Sequence, residues 1–407
     1  MNRLDDILRR YTLDGEETAG KITGAAFVVT GKNGIIYSGS SGRLGLDAKS
    51  PPWTDKTLTW AASLTKLVTT IALMQLVEQG KLHLDADTRP LVPELRDAKI
   101  LRGFDAHDKP VYEENTQPIT LRQLLTHTAG FSYEFCDPVL LKWSRLTPGR
   151  DISHIHWSRR EITVPLRFAP GEGWLYGVGL DWAAQVLEAA TGMSIGQYMQ
   201  VNIFDGLGLA DTGFWPGRMS HTAARTAAST QRKPDGILEA APWPIPDKHE
   251  LEAGGSGLFT TAADYARLLR ALLQSTHHDT PLLSARSVRE MLTPQLRGVQ
   301  ERGLARLVFH PSARPAFSPE FQPGQTVNHG LGGMLNTHDL PGKRRAGSMT
   351  WFGILNSRWW LDPKTGVAAV LFVNVRPMGD PVVVALYDEL ERAVYGHLVG
   401  DTVRSSV

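Results

Sequence analysis

A serine and a lysine stand three residues apart, as Ser63 and Lys66, at the start of an apolar stretch. Leu67–Val77 repeats apolar residues at helical spacing and is followed by Gly80, which predicts a helix beginning near Ser63. Residues three apart on a helix share a face, so the hydroxyl and the amine are expected to meet. A serine hydroxyl needs a neighbouring base, and a lysine can serve when burial and a helix N-terminus disfavour the charged amine. The pair therefore predicts a nucleophilic Ser63 with Lys66 as its base.

The same spacing has an ordinary structural interpretation, in which Ser63 caps the helix and Lys66 faces solvent. Two features favour the catalytic interpretation. The chain contains no other Ser-x-x-Lys, and the helix behind it is apolar on nearly every side, which indicates burial. The helix start also offers the backbone N–H of Ser63 to a developing oxyanion.

Charge and cysteine content limit the expected partners and cofactors. The 43 Lys and Arg residues balance 42 Asp and Glu, so nothing points to nucleic acid or to a membrane partner. The single cysteine, Cys136, excludes a disulfide framework and is interpreted as a packing residue. The charged N-terminal residues lack a signal-peptide core, and a cytoplasmic location is expected. No metal or other cofactor is expected, because His154 and His156 have no third ligand nearby.

The elements around the serine helix predict an α/β fold of the α+β type. Gly24–Thr30 and Ile35–Gly39 flank an Asn-Gly turn and predict a β-hairpin. A second hairpin is expected around the turn Asp362–Gly366, while Ala253–Gly257 is interpreted as a flexible elbow. No hairpin is expected within 67–250, and 296–326 carries no assignment. Helices are expected over 2–12, 67–79, 119–126, 181–191, 195–204, 261–273, 283–293 and 381–398.

Strands and helices at both chain ends, with a helical block between them, predict two domains. Residues 1–58 and 250–407 are expected to form one α/β domain, an antiparallel sheet flanked by the terminal helices. Residues 59–249 are expected to form an inserted helical domain, with the active site in the cleft between the two.

Several motifs resemble the β-lactamase-fold serine hydrolases, which include class C β-lactamases, penicillin-binding proteins and related esterases. Besides Ser63-x-x-Lys66, these are Leu-Leu-Thr-His-Thr-Ala-Gly ending at 130, Trp174-Leu-Tyr176 before a helix, and Gly254-Gly255. His-Gly-Leu-Gly-Gly from 329 and Gly-Ser-Met-Thr-Trp-Phe-Gly from 347 are most similar to the fungal lovastatin-type acyltransferases. The resemblance runs from about residue 20 to the C-terminus and implies a β-lactamase/transpeptidase-like fold.

The resemblance implies roles that spacing alone does not assign. It identifies Tyr176, among nine tyrosines, as the group that relays a proton between Ser63, Lys66 and an alcohol. It places the active-site edge strand at 351–354, where the N–H of Ile354 would complete the oxyanion hole with that of Ser63. The residues implied in substrate binding are Trp174, His329, Trp351, Phe352 and Gly353.

Three positions depart from the pattern of penicillin-type enzymes or of the lovastatin-type subgroup. Val178 replaces an asparagine, and Trp351 replaces the Lys or His that binds a substrate carboxylate. An apolar ring cannot pair a carboxylate, so a neutral ester, thioester or lactone fits better than a β-lactam. Phe352 stands where the lovastatin-type subgroup usually has a small residue and is expected to narrow the acyl pocket. The Lys-Thr-Gly at 364–366 follows Asp-Pro in a hairpin turn and is rejected as the active-site motif.

The leading hypothesis is a serine acyltransferase of secondary metabolism. It would move an acyl group from a thioester or ester donor, through acyl-Ser63, to an alcohol of a small molecule. The donor would be an acyl-carrier protein or a small thioester. A carboxylesterase or lactonase, with water as the acceptor, remains open, because no motif encodes the exclusion of water. A silent binding scaffold is the third alternative, against which the presence of Ser63, Lys66 and Tyr176 argues.

Overall fold

The computed structural model describes residues 2–150, 157–246, 249–322 and 324–398. The strands are β1 (Gly24–Gly31), β2 (Gly34–Gly42), β3 (Thr59–Trp60), β4 (Ile100–Phe104), β5 (Pro110–Glu113), β6 (Thr230–Arg232), β7 (Leu238–Ala240), β8 (Phe259–Thr260), β9 (Val327–His329), β10 (Met334–Asn336), β11 (Met349–Phe352), β12 (Arg358–Asp362), β13 (Val367–Phe372) and β14 (Val375–Arg376).

The α-helices are α1 (Asn2–Tyr11), α2 (Thr65–Glu78), α3 (Pro93–Arg96), α4 (Leu121–Leu125), α5 (Pro138–Leu146), α6 (Arg159–Ile162), α7 (Gly179–Thr191), α8 (Ile195–Met199), α9 (Asp205–Leu207), α10 (Ala262–Ser275), α11 (Ala285–Met291), α12 (Val299–Val308), α13 (Arg314–Phe317) and α14 (Pro381–Ala393). Short 3-10 or π-helical turns lie at Ala62–Leu64, Glu134–Cys136, Gln200–Phe204, Pro216–Arg218, Ser220–Arg225 and Val394–Leu398.

A seven-stranded antiparallel sheet joins the two ends of the chain, in the order β2-β1-β13-β12-β11-β10-β9. Strand β1 is buried along its whole length, and its side chains alternate between two apolar cores. Ala25, Phe27 and Val29 pack in the core that contains α1 and α14, whereas Ala26 and Val28 pack in the core that contains α2 and α10. The antiparallel sheet and its flanking terminal helices are therefore present as expected.

The helical part of the chain is organised around α2. Twelve of its residues are buried, so the burial predicted from its apolar sequence is confirmed. Helix α2 packs against α7 and α8, and α4 packs against α7. Helix α7 ends at Gly192, which takes a left-handed φ of 69° that favours glycine. Helix α4 begins with a capping box formed by Thr120 and Gln123.

Several expectations about local structure were wrong. Strands β4 and β5 pair as a hairpin within 100–113, and β6 pairs with β7, although no hairpin was expected within 67–250. Residues 253–257 are buried rather than a flexible elbow. Residues 296–326, which carried no assignment, contain α12 and α13. The motif that begins at His329 links two short antiparallel strands, β9 and β10.

Some expectations concern parts of the chain about which less can be said. His154 and His156 lie outside the described residues. The boundary of the two domains, with residues 1–58 and 250–407 in one and 59–249 in the other, stays a prediction. Within the part of the chain that the structure describes, no helix has the length and apolar character needed to cross a membrane.

Candidate active site

The nucleophile candidate lies on a sharp turn directly before α2. Ser63 is the middle residue of the 3-10 turn Ala62–Leu64, and α2 begins at Thr65. Ala62 has a φ of 48°, in a region that residues with a side chain rarely adopt. This backbone presents the Ser63 hydroxyl to the pocket rather than to the interior of the helix.

Lys66 makes the contact with Ser63 that the spacing predicted. Its Nζ donates to Ser63 Oγ at 3.2 Å, to the Tyr133 hydroxyl at 3.3 Å and to the Gly255 carbonyl oxygen at 2.7 Å. The residue is only 3% exposed. All three contacts of the amine are therefore with protein groups, and the side chain is held in one position beside Ser63.

Tyr176 reaches Ser63 from a different part of the chain. Its hydroxyl donates to Ser63 Oγ at 2.7 Å, and its ring centroid lies 4.8 Å from Lys66 Nζ. The backbone holds it in place, because the Tyr176 carbonyl accepts from Tyr133 N at 3.1 Å and His127 O accepts from Leu175 N at 3.1 Å. Ser63 Oγ thus contacts both groups that could exchange a proton with it.

Two further residues complete the surroundings of Lys66. Burial, followed by the charge of Asp181, holds the pKa of Tyr133 well above its usual range. Burial raises the pKa of Asp181, an effect that the positive charge of Lys66 opposes. The Asp181 carboxylate accepts from Gly255 N at 2.8 Å, and so fixes the carbonyl that Lys66 contacts. Sequence reasoning missed both residues, although an aspartate in the first turn of the apolar α7 was a visible signal.

The end of β11 packs directly against the serine turn. A Cβ on Gly353 would lie 3.0 Å from Ala61 O and 3.3 Å from both Ala62 Cβ and Leu64 Cδ1. Only a glycine allows this approach without displacing the backbone. This strand was expected at the edge of the sheet, but β10 and β9 lie beyond it. In the register of the two strands, β10 pairs with only two residues of β11, Met349 and Thr350.

Ile354 follows this close approach and lines the same pocket as Ser63. Its position agrees with a backbone donor near the serine, and its role in the oxyanion hole stays a prediction. The Lys-Thr-Gly at 364–366 lies in the turn between β12 and β13, away from the residues that line the pocket.

An aromatic layer supports Tyr176 from behind. The His127 ring centroid lies 4.9 Å from that of Tyr176, and the Trp351 centroid lies 5.4 Å from it. His127 also contacts Trp174 at 5.8 Å and His329 at 5.6 Å. The four residues around Tyr176 are 2–3% exposed, and none of them lines the pocket: His127, Trp174, His329 and Trp351. The substrate contacts predicted for Trp174, His329 and Trp351 stay predictions, while their position is that of a supporting layer.

Both histidines of this layer are neutral. Burial lowers the pKa of His329 to about 4. Burial, followed by the charges of His329 and Lys66, holds the pKa of His127 well below its usual range. The position of His127 at the end of α4 favours a helix cap, but its φ is 61° and its Nδ1 has no hydrogen-bond partner within the described ranges.

A cavity of about 410 Å³ opens above Ser63 and Tyr176. Its lining is mainly aromatic and aliphatic, with a few charged groups, as is usual for a small-molecule site. The apolar lining residues include Trp60, Tyr133, Phe135, Leu141, Trp157, Ile162, Val178, Pro244, Phe352, Ile354 and Met378. The charged lining residues are Glu134, Glu161, Asp181 and Arg376.

This fold and this serine-centred pocket define an enzyme of the serine acyl-transfer class. The family described as Beta-lactamase matches residues 10–393, and the chain belongs to that family. It is 35% identical over 360 residues to a lovastatin esterase of Penicillium rubens, covering 86% of this chain and 88% of the relative. It is 34% identical over 352 residues to a monacolin J acid methylbutanoyltransferase of Aspergillus terreus, covering 85% and 83%.

A solved structure agrees with these relatives. Unliganded simvastatin synthase (LovD) from Aspergillus terreus superposes with a TM-score of 0.82 at 30% identity, covering 93% of this chain and 95% of that one. The β-lactamase/transpeptidase-like fold is confirmed. So is the resemblance to lovastatin-type acyltransferases and esterases, and with it the prediction of an enzyme rather than a silent scaffold.

Proposed function

We propose that this chain is a serine acyltransferase of secondary metabolism that works through an acyl-Ser63 intermediate. The observation that carries the proposal is the pair of contacts at Ser63 Oγ, with Lys66 Nζ at 3.2 Å and the Tyr176 hydroxyl at 2.7 Å. A nucleophile in contact with two proton-handling groups, beside an apolar cavity, suits acyl transfer from a thioester or ester. The name of the methylbutanoyltransferase relative supports a transferase.

In the first half-reaction, Ser63 Oγ attacks the carbonyl carbon of the donor while its proton passes to the Lys66–Tyr176 pair. The N–H groups of Ser63 and Ile354 would stabilise the oxyanion of the tetrahedral intermediate. The carbon–sulfur or carbon–oxygen bond then breaks, and the leaving thiol or alcohol takes up the proton. The acyl group remains bound to Ser63 as an ester.

In the second half-reaction, the alcohol of a small molecule enters the cavity and attacks the acyl-Ser63 carbonyl. Its proton passes through Tyr176 and Lys66 back to Ser63 Oγ as that oxygen leaves. The product is a new ester, and the enzyme returns to its starting state. The mainly apolar lining of the cavity disfavours water as the competing acceptor.

A carboxylesterase or lactonase is the second candidate, because the same residues serve when water replaces the alcohol. The relative named lovastatin esterase favours it. The two activities differ only in which nucleophile reaches acyl-Ser63. An acyl-carrier protein as donor and a cytoplasmic location both belong to the proposal. No cofactor takes part in the scheme.

The experiment that separates the two candidates follows the fate of the acyl group. A short-chain acyl thioester is mixed with the enzyme and a panel of secondary alcohols, including monacolin J acid, and both ester and free acid are quantified. A transferase gives ester in amounts that rise with the alcohol concentration and vanish in Ser63→Ala. Free acid at a constant rate whatever the alcohol, with the same dependence on Ser63, would identify an esterase.

A further inference from the structure

Arg376 is a cation in the wall of the catalytic cavity that the proposed mechanism does not use. It ends β14 and lines the cavity together with Ser63 and Tyr176. Its Nη2 donates to Pro242 O at 3.0 Å, whereas its Nε is buried and has no hydrogen-bond partner in the described residues. Burial lowers the pKa of Arg376, the direction expected for a desolvated charge without a carboxylate beside it.

The carboxylates of the cavity are already engaged elsewhere. Glu134 and Glu161 both pair with Arg150, at 3.1 Å and 3.4 Å, and Asp181 accepts from Gly255 N. Arg150 is 3% exposed, so this pair of contacts is shielded from solvent. Within the described ranges, Arg376 forms no ion pair with any of these carboxylates.

We propose that Arg376 binds an anionic oxygen group, a carboxylate or a phosphate, on the molecule that enters the cavity. The inference rests on the proposed function and specifies its substrate class. A guanidinium has a planar fork of donors that matches such a group, and Pro242 occupies only one nitrogen. The cavity therefore has, from β14, a cation of the kind that Trp351 of β11 does not supply.

The test compares matched pairs of substrates that differ only in charge. One pair carries the charge on the acyl side, as the p-nitrophenyl ester of glutarate against that of methyl glutarate. A second pair carries it on the leaving group, as O-acetyl 4-hydroxyphenylacetate against its methyl ester. A third pair, S-acetyl-4′-phosphopantetheine against S-acetylpantetheine, tests phosphate as the anion. Each is measured with wild type, Arg376→Gln and Arg376→Lys, and with the exposed Arg297→Gln as control.

We expect Arg376→Gln to lower kcat/KM about tenfold or more for the charged member of at least one pair, because a hydrogen-bonded ion pair is lost. The neutral member should change less than twofold, which also shows that the variant is folded. Arg376→Lys should recover part of the loss, and Arg297→Gln should behave as wild type. Which pair responds distinguishes a carboxylate from a phosphate.

Two kinds of outcome would overturn the inference in distinguishable ways. Ser63-dependent activity with unchanged charge selectivity in Arg376→Gln, in all three pairs, rejects the role of Arg376 and leaves the proposed function standing. Equal losses on charged and neutral members also reject that role, because they leave the charge selectivity unchanged. The absence of any Ser63-dependent turnover in wild type rejects the proposed function, and this inference with it.

Discussion

Ser63 Oγ lies between a lysine amine and a tyrosine hydroxyl, and the two phenols near Lys66 differ in what they contact. The Tyr176 hydroxyl contacts Ser63 Oγ at 2.7 Å, whereas the Tyr133 hydroxyl contacts Lys66 Nζ at 3.3 Å. A group that transfers the reacting proton increases the rate about 100-fold or more, and a group that only positions another residue contributes less.

Removing each hydroxyl should separate these two roles. We expect Tyr176→Phe to lower kcat about 100-fold or more, and Tyr133→Phe to lower it about tenfold or less. Steady-state turnover of a p-nitrophenyl ester measures both. Near-normal turnover in Tyr176→Phe would show that the proton travels by another route.

The residues around Ser63 differ in how far the sequence reveals them. Ser63 and Lys66 follow from local spacing, because one helical turn brings them together. Tyr176 required a family motif. Asp181 and Arg376 were missed, since they reach the site from segments more than a hundred residues from Ser63. An aspartate in the first turn of the apolar α7 was a visible signal, but no local pattern shows which groups the tertiary fold brings to it.

Neutral His329 makes the stability of the protein depend on pH. Its folded-state pKa of about 4 is below the unfolded value of 6.5, so the unfolded chain binds more protons between these limits. The free energy of unfolding should rise by roughly 3 kcal/mol as the pH increases from about 4 to 6.5, and this gain should be lost on acidification. His127, which is shifted in the same direction, adds to the effect.

The variant that tests this dependence is His329→Gln. Urea unfolding between pH 4 and pH 7 should show a shallower rise in stability for this variant than for wild type. The exposed His277→Gln serves as the control and should keep the wild-type slope. Parallel curves for His329→Gln and wild type would show that His329 does not carry the dependence.

At the level of elements, the end of β11 and the serine turn must fit closely. Gly353→Ala would bring a Cβ to 3.0 Å from Ala61 O, so the strand or the turn must move by a few tenths of an ångström. We expect kcat to fall about tenfold or more while the fold is retained, because catalysis is sensitive to small displacements of the nucleophile. Gly206→Ala, where a Cβ meets nothing within 4 Å, is the matched control. Equal activity in both variants would show that catalysis does not depend on this close approach.

Helix α14 is tied to the connection between β10 and β11 by a buried ionic cluster. Arg344 is fully buried and donates to Glu391 of α14 at 2.7 Å and also to Glu320. Arg344→Met removes the cation shared by these two buried carboxylates, leaving Glu391 with Lys343 and Glu320 with Arg358, and should reduce the free energy of unfolding by about 3–5 kcal/mol. The neighbouring Arg345 is half-exposed and pairs with Asp339, so Arg345→Met should cost less than about 1 kcal/mol. Denaturant titration of both variants measures the two losses, and losses of similar size would contradict the stabilising role of the buried cluster.

Elements with strong periodicity were predicted well, and elements without it were not. Helices α2, α7 and α10 carry regular apolar patterns and clear end signals. Strand β5 is exposed at every residue. Because it has no buried face, its sequence lacks the alternation of apolar and polar side chains that marks a strand.

At the scale of the whole molecule, the fold brings together three distant segments around one cavity. The serine turn and α2 come from early in the chain, the tyrosine from the segment before α7, and the strand end from β11. The sheet that unites both chain ends was predicted from hairpin signals at each end and from the helical block between them. The packing of β11 against the serine turn could be placed only by the resemblance, because sheet order is set by contacts far apart in sequence.

The central claim is that the acyl group passes through Ser63, and intact-protein mass after mixing with a short-chain acyl thioester tests it most directly. We predict that wild type gains the mass of one acyl group, that the label maps to the peptide containing Ser63, and that an alcohol acceptor removes it. Ser63→Ala should gain nothing. An equal adduct on Ser63→Ala, or turnover of the thioester by that variant at the wild-type rate, would contradict the claim.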